Sequence, residues 1–156
     1  MNQNINHVDH VLWVSHLKNQ EANVARLSEL TNQQFDGPVS RPDVGLRVYL
    51  SWEGGLEIVA PLDVDTPIAN SLRDHLTKKG EGLFGVVFGV PDIDAARARA
   101  ERLGYKTGEL VENLGDEPWK DKNVVMKESV VGEFMNSLFV FGEIVFRDGV
   151  FITQKK

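Results

Sequence analysis

The chain has no cysteine among its 156 residues. That excludes disulfides, thiolate metal sites and cysteine nucleophiles, so any metal must rest on histidine and carboxylate. Long apolar runs are also missing. No stretch approaches the roughly 18 residues that span a bilayer, and the first fifteen residues contain no basic residue followed by a long apolar run. The expectation is a soluble, cytoplasmic protein with no membrane partner. Cations are in deficit, with 17 Lys+Arg against 23 Asp+Glu and a net charge of −6. Without a basic stripe, nucleic acid is not an expected partner. The sequence holds no P-loop, no dinucleotide glycine fingerprint, no G-x-S-x-G nucleophile and no HExxH helix, which argues against the chemistries that those motifs carry. What is present is an average globular mixture, 42% hydrophobic and 26% charged. Its length suits one compact domain or two small fused halves.

Val8 to Val14 (VDHVLWV) is a strand with His10 at its centre, and Leu17, Val24, Leu27 and Leu30 then recur at helical spacing. Phe35-Asp36-Gly37-Pro38 reads as a turn. Gly45 to Trp52 and Leu56 to Ala60, joined through Glu53-Gly54-Gly55, read as an antiparallel hairpin. Thr66 as N-cap, Pro67 at the first helical position and Lys78-Lys79-Gly80 at the end predict a linker helix. The order then repeats. Leu83 to Val90 is a strand, and Asp92 caps a helix carrying Ile93, Ala96, Ala100 and Leu103, with Gly104 past its end. The two halves superpose at offsets of 73 to 75 residues. Beyond Tyr105, short apolar runs at Val124–Met126, Leu138–Phe141, Ile144–Phe146 and Val150–Ile152 read as further strands.

The doubled strand–helix–strands order, Asp9-His10-Val11, LEIVAP at Leu56 to Pro61, and TPIANSLRDHLTKKGEGL from Thr66 leading into VPDIDAARARAERLG resemble the vicinal oxygen chelate superfamily. Within it the look is of methylmalonyl-CoA epimerase-like members. The resemblance covers about residues 5 to 112 and implies an α+β fold. Two tandem βαβββ modules, at 5–63 and 82–154 with a linker helix at 64–81, would form a curved, barrel-like sheet around a central cavity in one glyoxalase-like domain spanning 1–156. It also implies a single divalent metal with ligands from the first and last strands of each half. Carried over, these positions fall on His10 and Glu57 in the first half. In the second half they fall on Gly85, which has no side chain to coordinate, and near Val140, with Glu143 three residues on as an extra ligand or base. Family members commonly pair, so a homodimer is expected, with the strands after Leu138 offering an edge.

Read without the family, strand alternation places His10 with Val8, Leu12 and Val14, and Glu57 with Val59. An inward imidazole and carboxylate make an ion pair, a ligand pair or an acid–base pair; the plainer readings are a half-buried, hydrogen-bonded His and a solvent-facing Glu. Gly85 and Gly89 share a face with little bulk, which reads as room for a ligand or as close packing. Arg47, on the face of Tyr49, can bind a substrate carboxylate or be simply solvated. Among Tyr49, Trp52, Phe84, Phe88 and Trp119, most read as core, while Trp119 in the charged run Asp116 to Lys122 reads as an exposed lid residue. His16 and His75 lack ligand spacing to His10. The candidate site is therefore His10 and Glu57 as metal ligands, Glu57 and Glu143 as catalytic groups, and Arg47, Tyr49, Gly85 and Trp119 around a small-molecule substrate. The expected function is metal-assisted proton transfer next to a carbonyl, in an isomerase or lyase; metal-free sequestration of a small molecule and extradiol-type oxygen chemistry are the alternatives.

Overall fold

The computed structural model describes residues 6–150, so the ends of the expected modules, and Phe151 and Ile152 of the last expected strand, lie outside the described residues. The chain divides into two compact units, one of His10–Val86 and one that joins Val87 onward to the start of the chain up to Asp9. Strand and helix order in the two repeats is the same, and the fold is α+β as expected.

In the first repeat, β1 (His7–Val14) leads through a 3-10 turn to α1 (Gln20–Thr31), then to β2 (Asp36–Arg41), β3 (Leu46–Ser51), β4 (Leu56–Pro61) and the linker helix α2 (Pro67–Lys79). The strand order is β2-β3-β4-β1. β3 and β4 form the expected hairpin, and β1 runs parallel to β4 with Leu12 beside Glu57 and Val14 beside Val59. The start of α2 is as read from sequence, because the Thr66 hydroxyl accepts from the Ala69 N–H at 3.1 Å and so satisfies a donor that the first turn would otherwise leave open.

Two expectations fail in this repeat. Asp36-Gly37-Pro38 opens a strand rather than a turn, with an irregular register between Asp36 and Val39; β2 is an edge strand, where a residue lacking an N–H is tolerated. Leu30 is 82% exposed, and the fully buried residue of α1 is Gln20. Its side-chain amide donates to the carbonyls of Arg47 at 2.8 Å and Ile58 at 2.9 Å, so a polar clasp holds the helix where an aliphatic stripe was expected.

The second repeat runs β5 (Gly82–Gly89), α3 (Ile93–Arg102), β6 (Val111–Glu112), β7 (Asn123–Phe134) and β8 (Ser137–Phe146), in strand order β5-β8-β7-β6. Asp92 caps α3 as expected, accepting from Ala95 N–H at 2.9 Å. Val90, Ile93, Ala96, Ala100 and Phe141 form the core beneath that helix. The runs Leu138–Phe141 and Ile144–Phe146 are one strand, since Gly142 stays in the ladder opposite Glu128. A two-residue turn, Met135-Asn136, joins β7 to β8 with both residues at positive φ, the backbone that tight hairpins need. An extra residue, Val131, enters β7 between the pairs Val130–Val140 and Gly132–Phe139. Because β8 lies between β5 and β7, it offers no free edge, contrary to expectation.

Gly142 is a close-approach position, since a Cβ there would lie 2.6 Å from Val87 Cγ1. A valine cannot swing aside cheaply. Gly142→Ala is expected to cost about 1–3 kcal/mol in urea unfolding, and Val87→Ala in the same chain should recover part of that loss. A second prediction concerns Glu81. Burial pushes its carboxyl up, but the His16 N–H and the Asn19 and Ser15 side chains outweigh this and hold it below its ordinary value of 4.5. The stability it supplies is therefore complete above that value and lost as pH falls through the lower folded value. Glu81→Gln should melt below the parent at neutral pH, with the gap closing in acid.

Candidate metal and acid–base site

The register of the first repeat decides which side chains can meet. Strand pairing aligns Leu12 with Glu57, Leu50 with Glu57 and Val48 with Val59. One face therefore carries His10, Leu12 and Val14 from β1, Val48 and Leu50 from β3, and Glu57 and Val59 from β4. All of these are buried. Among these aliphatic neighbours His10 Nε2 lies 2.8 Å from Glu57 Oε2, in hydrogen-bond contact. Either group alone there would be costly, and the contact compensates both. The indole of Trp52 stands edge-on to the imidazole, with ring centroids 5.9 Å apart at 77°.

Arg47 and Tyr49 lie on the opposite face, paired with Ala60 and Ile58, and this corrects their expected place beside His10 and Glu57. The Arg47 Nε donates to Gln20 Oε1 at 2.7 Å, and its guanidinium lies 3.7 Å from Glu21 and 6.0 Å above the Tyr49 ring. Burial and the Glu21 charge raise the Tyr49 hydroxyl above its ordinary value, while Arg47 pulls the other way. These two residues fasten α1 to the sheet.

Glu143 is corrected in the same way. Its register partner is Lys127, and it shares its face with Phe141 under α3. Its Oε2 accepts from the Ile93 N–H at 3.0 Å, so it supports the N-terminus of that helix, where a carboxylate also meets the positive end of the dipole. The opposite face of the same hairpin carries Val140, Gly142 and Glu128. Glu128 is half-buried mid-strand and escaped the sequence reading. A hairpin closed at Met135-Asn136 would by itself set Glu128 opposite Glu143; the extra residue Val131 moves it opposite Gly142 and onto the face of Val140, where the resemblance calls for an acid, and nothing in the sequence signals that insertion.

Trp119 is buried at 3% exposure, and its indole N–H donates to Asn113 Oδ1 at 2.9 Å. Nearby, the buried Glu117 accepts from the backbone N–H groups of Leu114 and Gly115. The charged run is a loop, but its aromatic residue is the loop's own core and not an exposed lid. Gly85 is buried in β5. Gly89 offers no room, since a Cβ there would lie 2.6 Å from the His7 ring. His16 is exposed, and His75 packs edge-on to Phe84 with centroids 5.1 Å apart.

The strand order and the repeated modules define a vicinal oxygen chelate-type α+β fold. No family model and no curated protein matches the chain. Among solved structures it is similar to the methylmalonyl-CoA epimerase of Mycobacterium tuberculosis, with a TM-score of 0.64 and 19% identity over 87% of this chain and 86% of that one. A Streptomyces coelicolor methylmalonyl-CoA epimerase in complex with 2-nitronate-propionyl-CoA gives 0.65 and 19% over 89% and 97%. A hypothetical protein of Bacillus halodurans C-125 gives 0.62 and 17% over 88% and 94%. At these identities the likeness is one of fold. No helix among the described residues is long and apolar enough to cross a membrane.

If Glu143 serves α3, then Glu143→Ala should lower the unfolding free energy by about 1 kcal/mol. Divalent-metal uptake by the folded variant, measured by calorimetric titration, should match the parent.

Proposed function

We propose that the protein is an isomerase- or lyase-type enzyme that moves a proton next to the carbonyl of a small acyl or keto substrate, with one divalent metal at His10 and Glu57. The observation that carries this reading is the buried contact between His10 Nε2 and Glu57 Oε2 at 2.8 Å. Donor atoms about 2.1 Å from one cation and at right angles to each other lie about 3 Å apart, so the spacing suits neighbouring ligands as well as a hydrogen bond. An imidazole and a carboxylate suit zinc, cobalt or manganese better than a soft ion.

Bound there, the metal would polarise the substrate carbonyl and stabilise the negative charge left by proton removal. The chain's own groups do the rest. Glu57 Oε2 is engaged with His10, and its other oxygen, Oε1, takes the proton from the carbon next to the carbonyl and returns it to a neighbouring atom on the same side, or to the same carbon after the planar enolate has turned over. Leu12, Val48 and Leu50 keep water from the pair. Trp52 restrains the imidazole. One solved relative in fold holds methylmalonyl-CoA, so an acyl thioester with an acidic C–H is the first substrate class to try, in a cytoplasmic setting.

Gly85 and Val140, at the two second-module positions where the resemblance expects ligands, favour a second reading: metal-free sequestration of a small molecule. Titration of chelator-treated protein with Co2+ separates the two. The enzyme reading expects one ion per chain and a roughly tenfold or greater loss of affinity in His10→Ala and Glu57→Gln. It also expects exchange of the substrate C–H with deuterated solvent in the parent but not in Glu57→Gln. Absence of both uptake and exchange would leave only sequestration, whereas uptake without exchange would remove the acyl thioester as substrate class.

A further inference from the structure

One face of α1 is left partly open in the first unit. Asn23, Arg26, Leu27 and Leu30 stand at i, i+3, i+4 and i+7 of that helix and line a groove whose other side is Trp13 of β1 and Ile58 of β4. Trp13 and Ile58 are register partners, on the sheet face opposite to His10 and Glu57. The groove has a volume of about 300 Å³, at the small end of the range for small-molecule sites. Trp13 and Leu27 are half-buried and Leu30 is 82% exposed, so the apolar part of a ligand would find surface to cover.

The charges in the groove indicate the ligand. Arg26 lines it from α1 and Glu81 from the residue just before β5. The two are not paired with each other, and among the described residues the Arg26 guanidinium has no acceptor. Glu81 is held rigidly. Ser15 Oγ at 2.9 Å, the His16 N–H at 2.8 Å and Asn19 Nδ2 at 3.1 Å all donate to its Oε1, which favours the charged carboxylate. A carboxylate has about four lone-pair sites, and with these contacts gathered on Oε1 the second oxygen keeps acceptor capacity. A metal ion needs more oxygen ligands than one carboxylate supplies, and a simple anion would meet Glu81. A molecule that carries an ammonium and a carboxylate close together satisfies both residues.

We infer that this groove binds a free amino acid with an apolar side chain, its ammonium on Glu81, its carboxylate on Arg26 and its side chain against Trp13, Leu27 and Leu30. The site lies on the other face of β1 from His10 and does not rest on the metal reading.

Calorimetric titration of the full-length protein with L-leucine tests it, beside 4-methylpentanoate, which lacks the ammonium, and 3-methylbutylamine, which lacks the carboxylate. L-leucine should bind once per chain with a dissociation constant below about 1 mM, and each analogue about tenfold more weakly. Arg26→Gln should weaken L-leucine about tenfold without weakening the amine. Leu30→Ser should weaken it about threefold. Both positions are exposed, and unchanged melting curves would confirm that these variants fold. Glu81→Gln, read well below its melting temperature, should weaken L-leucine but not 4-methylpentanoate. No uptake of L-leucine up to about 10 mM overturns the inference, as does equal affinity for either analogue or an Arg26→Gln variant that binds like the parent. Uptake that falls as the chain is concentrated would show another copy covering the groove and equally overturns it.

Discussion

The parallel register of β1 on β4 is the constraint on which the candidate site depends. With Leu12 beside Glu57, the imidazole two residues earlier in β1 and the carboxylate of β4 come to the same buried face, and their contact becomes affordable in an aliphatic setting. A slip of one residue would send Glu57 to the face of Arg47 and Tyr49 and leave His10 among leucines and valines with no acidic neighbour. The clasp made by Gln20, which bonds to carbonyls of both β3 and β4, helps hold that register from the other side of the sheet. Packing and chemistry are thus separated by face: α1 and its polar anchors on one side, the reactive pair on the other.

The second repeat uses the same division with different residues. Phe141 and Glu143 face α3, one filling the core and the other accepting from the helix N-terminus. Glu128 and Val140 face away. The repeated backbone therefore does not repeat its chemistry at equivalent positions. Gly85 answers to His10 in the duplicated order, and the acid of the second repeat sits on β7 rather than on the last strand. A reading that carries ligands from one repeat to the other by position alone misses this exchange, because the strand that supplies a donor matters less than the face that the donor occupies.

What could be read from the amino acids divides along physical lines. Local signals were reliable where one side chain satisfies a specific backbone need: Thr66 and Asp92 both cap the helices that they open, and the β3–β4 hairpin follows from two apolar runs around a glycine turn. Alternation grouped His10 with Val8, Leu12 and Val14, and Glu57 with Val59, and left a solvent-facing Glu57 open; in the structure both side chains are buried. The failures are those in which tertiary context decides. Pro38 looks like a turn residue until β2 proves to be an edge strand, and Leu30 looks like core until Gln20 proves to be the anchor. Trp119 looks exposed among charges, but Asn113 gives its indole a partner inside the loop. Glu128 was hidden because its face depends on the extra residue Val131, without which the turn at Met135-Asn136 would place it opposite Glu143.

The single extra residue at Val131 has an implication for how this chain can change through descent. Residues 128 and 134 are both even-numbered, yet they point to opposite sides of one hairpin because the insertion lies between them. Losing that residue would bring Phe134 to the side of Glu128 in one mutational event, while every substitution along β7 would preserve the present division. Length at this point therefore decides which face Phe134 occupies, whatever side chains β7 carries.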